Sequence, residues 1–237
     1  MITVEKAKIV LDRFACGKLL HGCHAKPNGE CKVCVEELRC LMGSITWDGA
    51  EPILGEVTNW TDRPDGGTPT ELACQNLNDG DWSSDEARTA ACLKLVTLAE
   101  KDASSGWGEK YRELTIRHIV SLALESAARV HPEEKHQTAL RSAAKKCRES
   151  GTYESATEAT KIAVFAGARY GVAYGNHGYA AYYAPYYDDP GTRDRILRLG
   201  VELLMASHQG REPNLWALGL SEFAFALKPT FQPGIQP

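Results

Sequence analysis

The chain has 237 residues, 43% hydrophobic and 24% charged, which excludes a wholly disordered chain and the collagen-like and fibrous classes. Lysine plus arginine total 27 against 31 for aspartate plus glutamate, so the net charge of −4 gives no general pull toward phosphate backbones or anionic lipid, and nucleic acid is not an expected partner. No basic start with an apolar run marks residues 1–20, and the most apolar stretch, 162–184, is interrupted by Arg169, Asn176 and His177, so neither an export signal nor a membrane span is expected.

Residues 3–14 read as a first helix with Ile9, Val10 and Phe14 as its apolar marks. Residues 17–29 read as a loop. Asn28 is expected to cap a second helix that runs to Met42, with Gly43 as its left-handed C′ residue. On that helix Val35, Leu38 and Met42 recur at helical spacing and should face a core. Residues 44–69 turn to Gly, Pro, Asp, Thr and Trp and read mainly as loop, with 53–58 the one place for a short strand or helical turn. Trp47 and Trp60 are expected to pin this segment to the core, each ring mostly buried.

Residues 70–77 make a short helix behind Pro69. Ser84 then caps a strong helix with Asp85 and Glu86 in its first turn and a core stripe of Ala87, Ala91, Leu95 and Leu98, with Cys92 beside it. Residues 109–130 carry Ile116, Val120, Ala123, Ala127 and Val130 on one face. Pro132 opens the next helix, followed by Glu133 and Glu134, and Lys145, Lys146 and Arg148 close it before Gly151. The longest candidate helix covers 154–184. In it Gly167, Gly171 and Gly175 are spaced by four, Tyr170, Tyr174, Tyr182 and Tyr186 form one stripe, Tyr179, Tyr183 and Tyr187 continue the glycine stripe, and 176–178 is the expected kink. An amphipathic helix over 192–207 places Ile196, Leu199 and Leu203 inward. A short apolar element spans 215–227, and the last ten residues, with three prolines, cannot extend a helix.

The expected fold is all-α, a bundle of about seven or eight helices with a Cys-rich N-terminal loop region and an extended C-terminal tail. Residues 1–210 read as one helical domain, divided into a Cys/Trp-rich part (1–69) and a helical body (70–210). Residues 211–237 read as an apolar segment followed by a Pro-rich arm.

Residues 29–48 read GECKVCVEELRCLMGSITWD, in which Cys34, Val35, Glu37 and Trp47 stand out. This resembles an uncharacterised family of phage and actinobacterial helical proteins whose N-terminal signature is a Cys-Val-Met-Glu-Ala run followed by Gly and then Trp-Ser-Asp. The methionine is Glu36 here, the alanine is Leu38, and Asp48 lies one residue nearer to the tryptophan. Residues 77–88, LNDGDWSSDEAR, are similar to that family's Leu-Asn-Asp stretch. The Ala- and Tyr-rich region 163–187, followed by 193–204, is similar to its C-terminal half. The resemblance spans roughly 170 residues and implies a helical protein of phage or mobile-element origin, located in host cytoplasm or virion. It implies no activity.

Of eight cysteines, five fall within 16–40 (Cys16, Cys23, Cys31, Cys34 and Cys40), and without an export signal they read as thiols of a cytoplasmic protein. Cys23, His24, Cys31 and Cys34 offer four soft ligands, with Cys16 and His21 in reserve. Cys31 and Cys34 would share a face at a helix start, where the dipole favours thiolates, and zinc there would tie the loop to the helix. The spacing matches no standard finger, so buried or incidental thiols are the competing reading, and zinc is the one cofactor considered. A second reading makes Cys34 a nucleophile, with His24 as base and Glu37 as orienting group. Its plain alternative is a buried cysteine at a helix start, with Glu37 paired to the backbone or to a cation.

His131 and His136 are five apart with Pro132 between them, so their imidazoles are not expected to share a face and a metalloprotease helix is rejected. His118, between Leu114 and Leu122, reads as a boundary core residue, and His177 as part of the kink. Aromatic residues concentrate where protein meets protein, so the candidate interface residues are Tyr170, Tyr174, Tyr182, Tyr186, Trp216, Phe223 and Phe231. An intramolecular core is the alternative for the tyrosines. The leading functional reading is a non-enzymatic structural or protein-interaction protein of phage type that self-associates, its C-terminal segment docking in trans. The alternative is a zinc-binding or Cys/His-dependent enzyme or regulator centred on residues 16–40.

Overall fold

Local capping chemistry sets most helix starts. Thr3 opens α1 (Val4–Phe14) by accepting the Lys6 N–H at 3.3 Å. A computed structural model describes residues 2–22, 33–55, 67–166 and 191–218. Helix α1 buries Ala7, Val10 and Leu11, whereas Ile9 is 41% exposed, because a step of one residue turns it about 100° away from Val10. The helix stops where Cys16 and Gly17 both take left-handed backbone, at φ 57° and 73°.

Helix α2 (Val35–Gly43) begins well after Asn28, which lies outside the described residues. Cys34, in extended backbone, is its N-cap. Val35, Leu38 and Met42 face the core as expected. Gly43 stays within the last turn, and Ser44 (φ −95°) ends the helix, so no left-handed reversal occurs; the chain passes directly into a strand. That strand, β1 (Ile45–Asp48), pairs antiparallel with β2 (Glu51–Leu54), from Ile45 opposite Leu54 to Asp48 opposite Glu51, and Gly49 (φ 59°) makes the turn. The expectation of a mainly irregular segment is therefore corrected over 45–54. Trp47 is half-buried rather than mostly buried, packing against the core beneath the Lys6 ammonium, 4.7 Å from the ring centroid. Trp60 lies outside the described residues.

Thr68 and Glu71 form a reciprocal capping box at the start of α3 (Pro69–Asn78), and the Ser84 hydroxyl accepts the Ala87 N–H to open α4 (Asp85–Cys92). The chain then tightens into a 3₁₀ segment, Leu93–Thr97, so the stripe through Leu95 and Leu98 is buried without being one continuous α-helix. Next comes a long rod made of α5 (Trp107–Leu114), a π-helical turn (Thr115–Val120) and α6 (Ser121–Val130). Its apolar face is buried except at Val130, 46% exposed where the rod ends.

Helices α7 (Glu134–Ser150) and α8 (Tyr153–Phe165) form a hairpin with Gly151 (φ 65°) at the turn. From the π turn Arg117 donates to the carbonyls of Arg148, Glu149 and Ser150 (2.9, 2.6 and 3.1 Å), closing α7 by a side chain from another helix. Helix α8 ends at Phe165, with Ala166 as its C-cap, short of the expected 184; residues 167–190 lie outside the described residues.

Helix α9 (Gly191–His208) is the central strut. Ile196, Leu199 and Leu203 are inward as expected, but Leu197, Val201, Leu204 and Ala206 are also fully buried, so the helix is covered on most sides instead of being amphipathic. It lies against α3, α4, α5 and the π turn, while α6, α7 and α8 stack as an antiparallel layer. Gly80 makes the closest approach: a Cβ there would collide with a Leu197 methyl. Among the described residues the fold is mostly helical with one small sheet, and no helix is long and apolar enough to cross a membrane.

Candidate functional site

The cysteine-rich region hangs between two fixed points. Leu19 and Val33, both fully buried, form a parallel bridge, and the Leu20 N–H donates to the Val33 carbonyl at 2.9 Å. On the near side, the Leu19 N–H donates to Thr89 Oγ1 and the Gly22 N–H to Asp79 Oδ1, each at 2.8 Å. Cys23, His24 and Cys31 lie outside the described residues. Among the described residues no cluster of His, Cys, Asp and Glu is arranged to hold a metal ion.

Cys34 is fully buried. Its backbone N–H donates to Glu37 Oε2 at 2.7 Å, while its sulfur faces the Glu37 backbone in return. This is the reciprocal arrangement of a capping box, with a thiol in place of the usual hydroxyl. Glu37, itself only 4% exposed, thus spends a carboxylate oxygen on the helix start. Cys16 is exposed and Cys40 half-buried.

A buried polar nexus behind α2 was not singled out in the sequence. Arg39 donates to the Leu95 carbonyl (2.8 Å), reaches Cys74 Sγ (3.8 Å) and pairs with Glu36 (3.4 Å), whose side chain is 3% exposed. Burial pushes the Cys74 thiol up to about 12, against the opposing pull of Arg39. Burial likewise raises Cys92 and Cys147, so these thiols stay protonated at neutral pH and are poor nucleophiles. An alternating helical pattern marks such positions as core but cannot show that Arg39 and Glu36 share one neighbour. No signal in the sequence would have joined Cys74 to Arg39.

The two imidazoles of His131 and His136 do meet, which corrects the expectation drawn from their spacing. Their ring centroids are 4.8 Å apart, because His131 precedes α7 in extended backbone and folds back over its first turn. His131 Nδ1 accepts the Glu133 N–H (3.1 Å), so Nε2 carries the proton and donates to the Ala166 carbonyl at 2.9 Å. With both nitrogens of one ring engaged by the backbone, this pair is a structural clasp between α7 and the end of α8. His118 is buried as expected, and burial, aided by Arg117 and Arg148, lowers its pKa to about 4.

Of the interface candidates, Tyr170, Tyr174, Tyr182, Tyr186, Phe223 and Phe231 lie outside the described residues. Trp216 is 63% exposed, whereas its neighbour Leu215 is 3% exposed and packs into the helical body. The loop that was expected to carry this segment away is held down. Glu202 accepts from Arg211 (2.7 Å) and from the Asn214 N–H (2.8 Å), and despite the cost of burial these donors keep its carboxyl below the usual range. The segment thus follows the body at least to Leu218. Compared with known proteins, the chain matches no family model, no curated protein and no solved structure.

Proposed function

We propose that this chain is a non-enzymatic structural or protein-interaction protein of phage or mobile-element type that associates with itself through aromatic side chains. The observation that carries the reading is the exposure of a large aromatic side chain where the described helical body gives way to the C-terminal stretch. Trp216 is 63% exposed two residues before Leu218. A side chain of this size exposed at the edge of an ordered helical scaffold suits a protein surface more than solvent. The protonated state of the buried thiols and the use of Glu37 as a helix cap support the non-enzymatic side.

Sedimentation velocity across a dilution series tests this. The parent chain should be oligomeric at micromolar concentration, and the full-length triple variant Trp216→Ser, Phe223→Ser, Phe231→Ser should show a lower subunit number with an unchanged helical spectrum. A parent chain that is monomeric throughout defeats the reading, as does a variant that keeps the parent subunit number.

A further inference from the structure

The hairpin of α7 and α8 carries a groove of about 290 Å³ whose lining is nearly all apolar, formed by Lys135, His136, Ala139, Lys161, Ile162 and Phe165. Both helices contribute the same spacing. Lys135 and Ala139 are four apart, as are Lys161 and Phe165, while His136–Ala139 and Ile162–Phe165 are three apart, so each triplet shares one helix face. The floor is packed: His136 meets His131 and Phe165 in tilted ring contacts, with centroids 4.8 and 5.7 Å apart, and the His131–Ala166 hydrogen bond ties the start of α7 to the end of α8.

The two lysines set the charge of the groove. Elsewhere on this hairpin cations are spent locally, Lys146 on Glu158 and Lys145 on Glu149. Among the described residues neither Lys135 nor Lys161 is paired with a carboxylate; the Lys135 ammonium lies 5.8 Å from the centroid of the Phe165 ring. The carboxylate of Glu133, at the start of α7, is turned to His136 Nε2 at 3.4 Å. In a chain with net charge −4, two lysines without a carboxylate partner on the same hairpin face as an exposed phenyl ring are complementary to an acidic segment with an apolar anchor.

From this we infer that the α7–α8 groove docks a short acidic peptide segment of a partner protein, its aromatic or aliphatic anchor on Phe165 and Ile162 and its carboxylates at Lys135 and Lys161. The inference deepens the interaction reading by assigning one surface to a hetero-partner, separate from the residues given to self-association. The two α-helical walls are pre-formed, so binding orders only the peptide.

The test uses the full chain and two fluorescein-labelled peptides, acetyl-Glu-Asp-Phe-Asp-Glu-Leu-amide and its neutral counterpart acetyl-Gln-Asn-Phe-Asn-Gln-Leu-amide, read by fluorescence anisotropy at low and high salt. The acidic peptide should bind about 5- to 10-fold more tightly than the neutral one at low salt, and the difference should shrink at high salt. Lys135→Glu with Lys161→Glu should remove the preference, and Phe165→Ser should weaken both peptides while leaving the parent subunit number unchanged. Binding that is absent at millimolar protein, or that ignores the lysine reversal, overturns the inference. A fall in subunit number with Phe165→Ser also overturns it, because the occupant is then a second copy of the chain. Failure of self-association alone leaves the peptide result intact, so the two ideas fail separately.

Discussion

His118 lets the packing of the π turn be read through pH. Its side chain is 4% exposed, and burial, with Arg117, Arg148 and Lys110 opposing a further positive charge and Glu113 partly favouring it, lowers its pKa from 6.5 to about 4. The unfolded chain therefore binds a proton at this site between about pH 6.5 and pH 4 while the folded chain does not. Stability is full above that window, falls as the pH drops through it and levels off below it. From pH 7 to pH 5 the expected loss is about 2 kcal/mol. Urea unfolding followed by far-UV circular dichroism, with the slope against denaturant held common, measures it. The control is His118→Leu, which removes a buried nitrogen, Nε2, that has no hydrogen-bond partner and leaves an apolar group of similar volume between Leu114 and Leu122. This variant should lose about 2 kcal/mol less than the parent over the same interval. His208, also lowered by burial, contributes to both proteins and cancels in the difference. Equal pH dependence in parent and variant would refute the assignment of His118 to the interior.

Three further outcomes follow from the helix ends and the core. Glu37→Ala should cost about 2 kcal/mol by leaving the buried Cys34 N–H without its carboxylate, and Glu37→Gln, which keeps an acceptor oxygen, should cost clearly less; equal costs in thermal or urea unfolding would contradict the capping box. Gly151→Ala should destabilise by more than about 1 kcal/mol, since φ is 65° and the new Cβ would lie 2.7 Å from Arg117 Nε and 2.9 Å from Glu113 Cγ; a neutral result would mean the α7–α8 turn is built differently. Leu197→Ala should cost about 2 to 5 kcal/mol because the side chain is fully buried at the crossing of α9 with the end of α3, and a loss below about 1 kcal/mol would contradict the central placement of α9.

Where the sequence was legible, a local rule agreed with tertiary packing. Ser84 announces a helix start, Gly151 lies just past a helix end, and Ile196, Leu199 and Leu203 sit where their periodicity puts them. The hairpin was missed because each strand has four residues, too few for an alternating pattern, and because Pro52 argues against a strand; the Asp48–Gly49 turn was its only local mark. The burial of α9 on most of its sides depends on how many helices surround it, which no pattern within residues 191–208 encodes. The contact between His131 and His136 escaped because the spacing argument compared helix faces alone, whereas His131, in extended backbone before α7, folds back over its first turn. Cys34 and Glu37 were singled out for chemistry, and their spacing of three serves a helix cap. Cys23, His24 and Cys31 fall outside the described residues.

Native mass spectrometry of the full chain, sprayed from neutral volatile buffer without chelator, addresses self-association and metal content together. The account predicts two or more times the bare chain mass with no added mass. A monomer, or a chain carrying the added mass of one zinc ion, would contradict it.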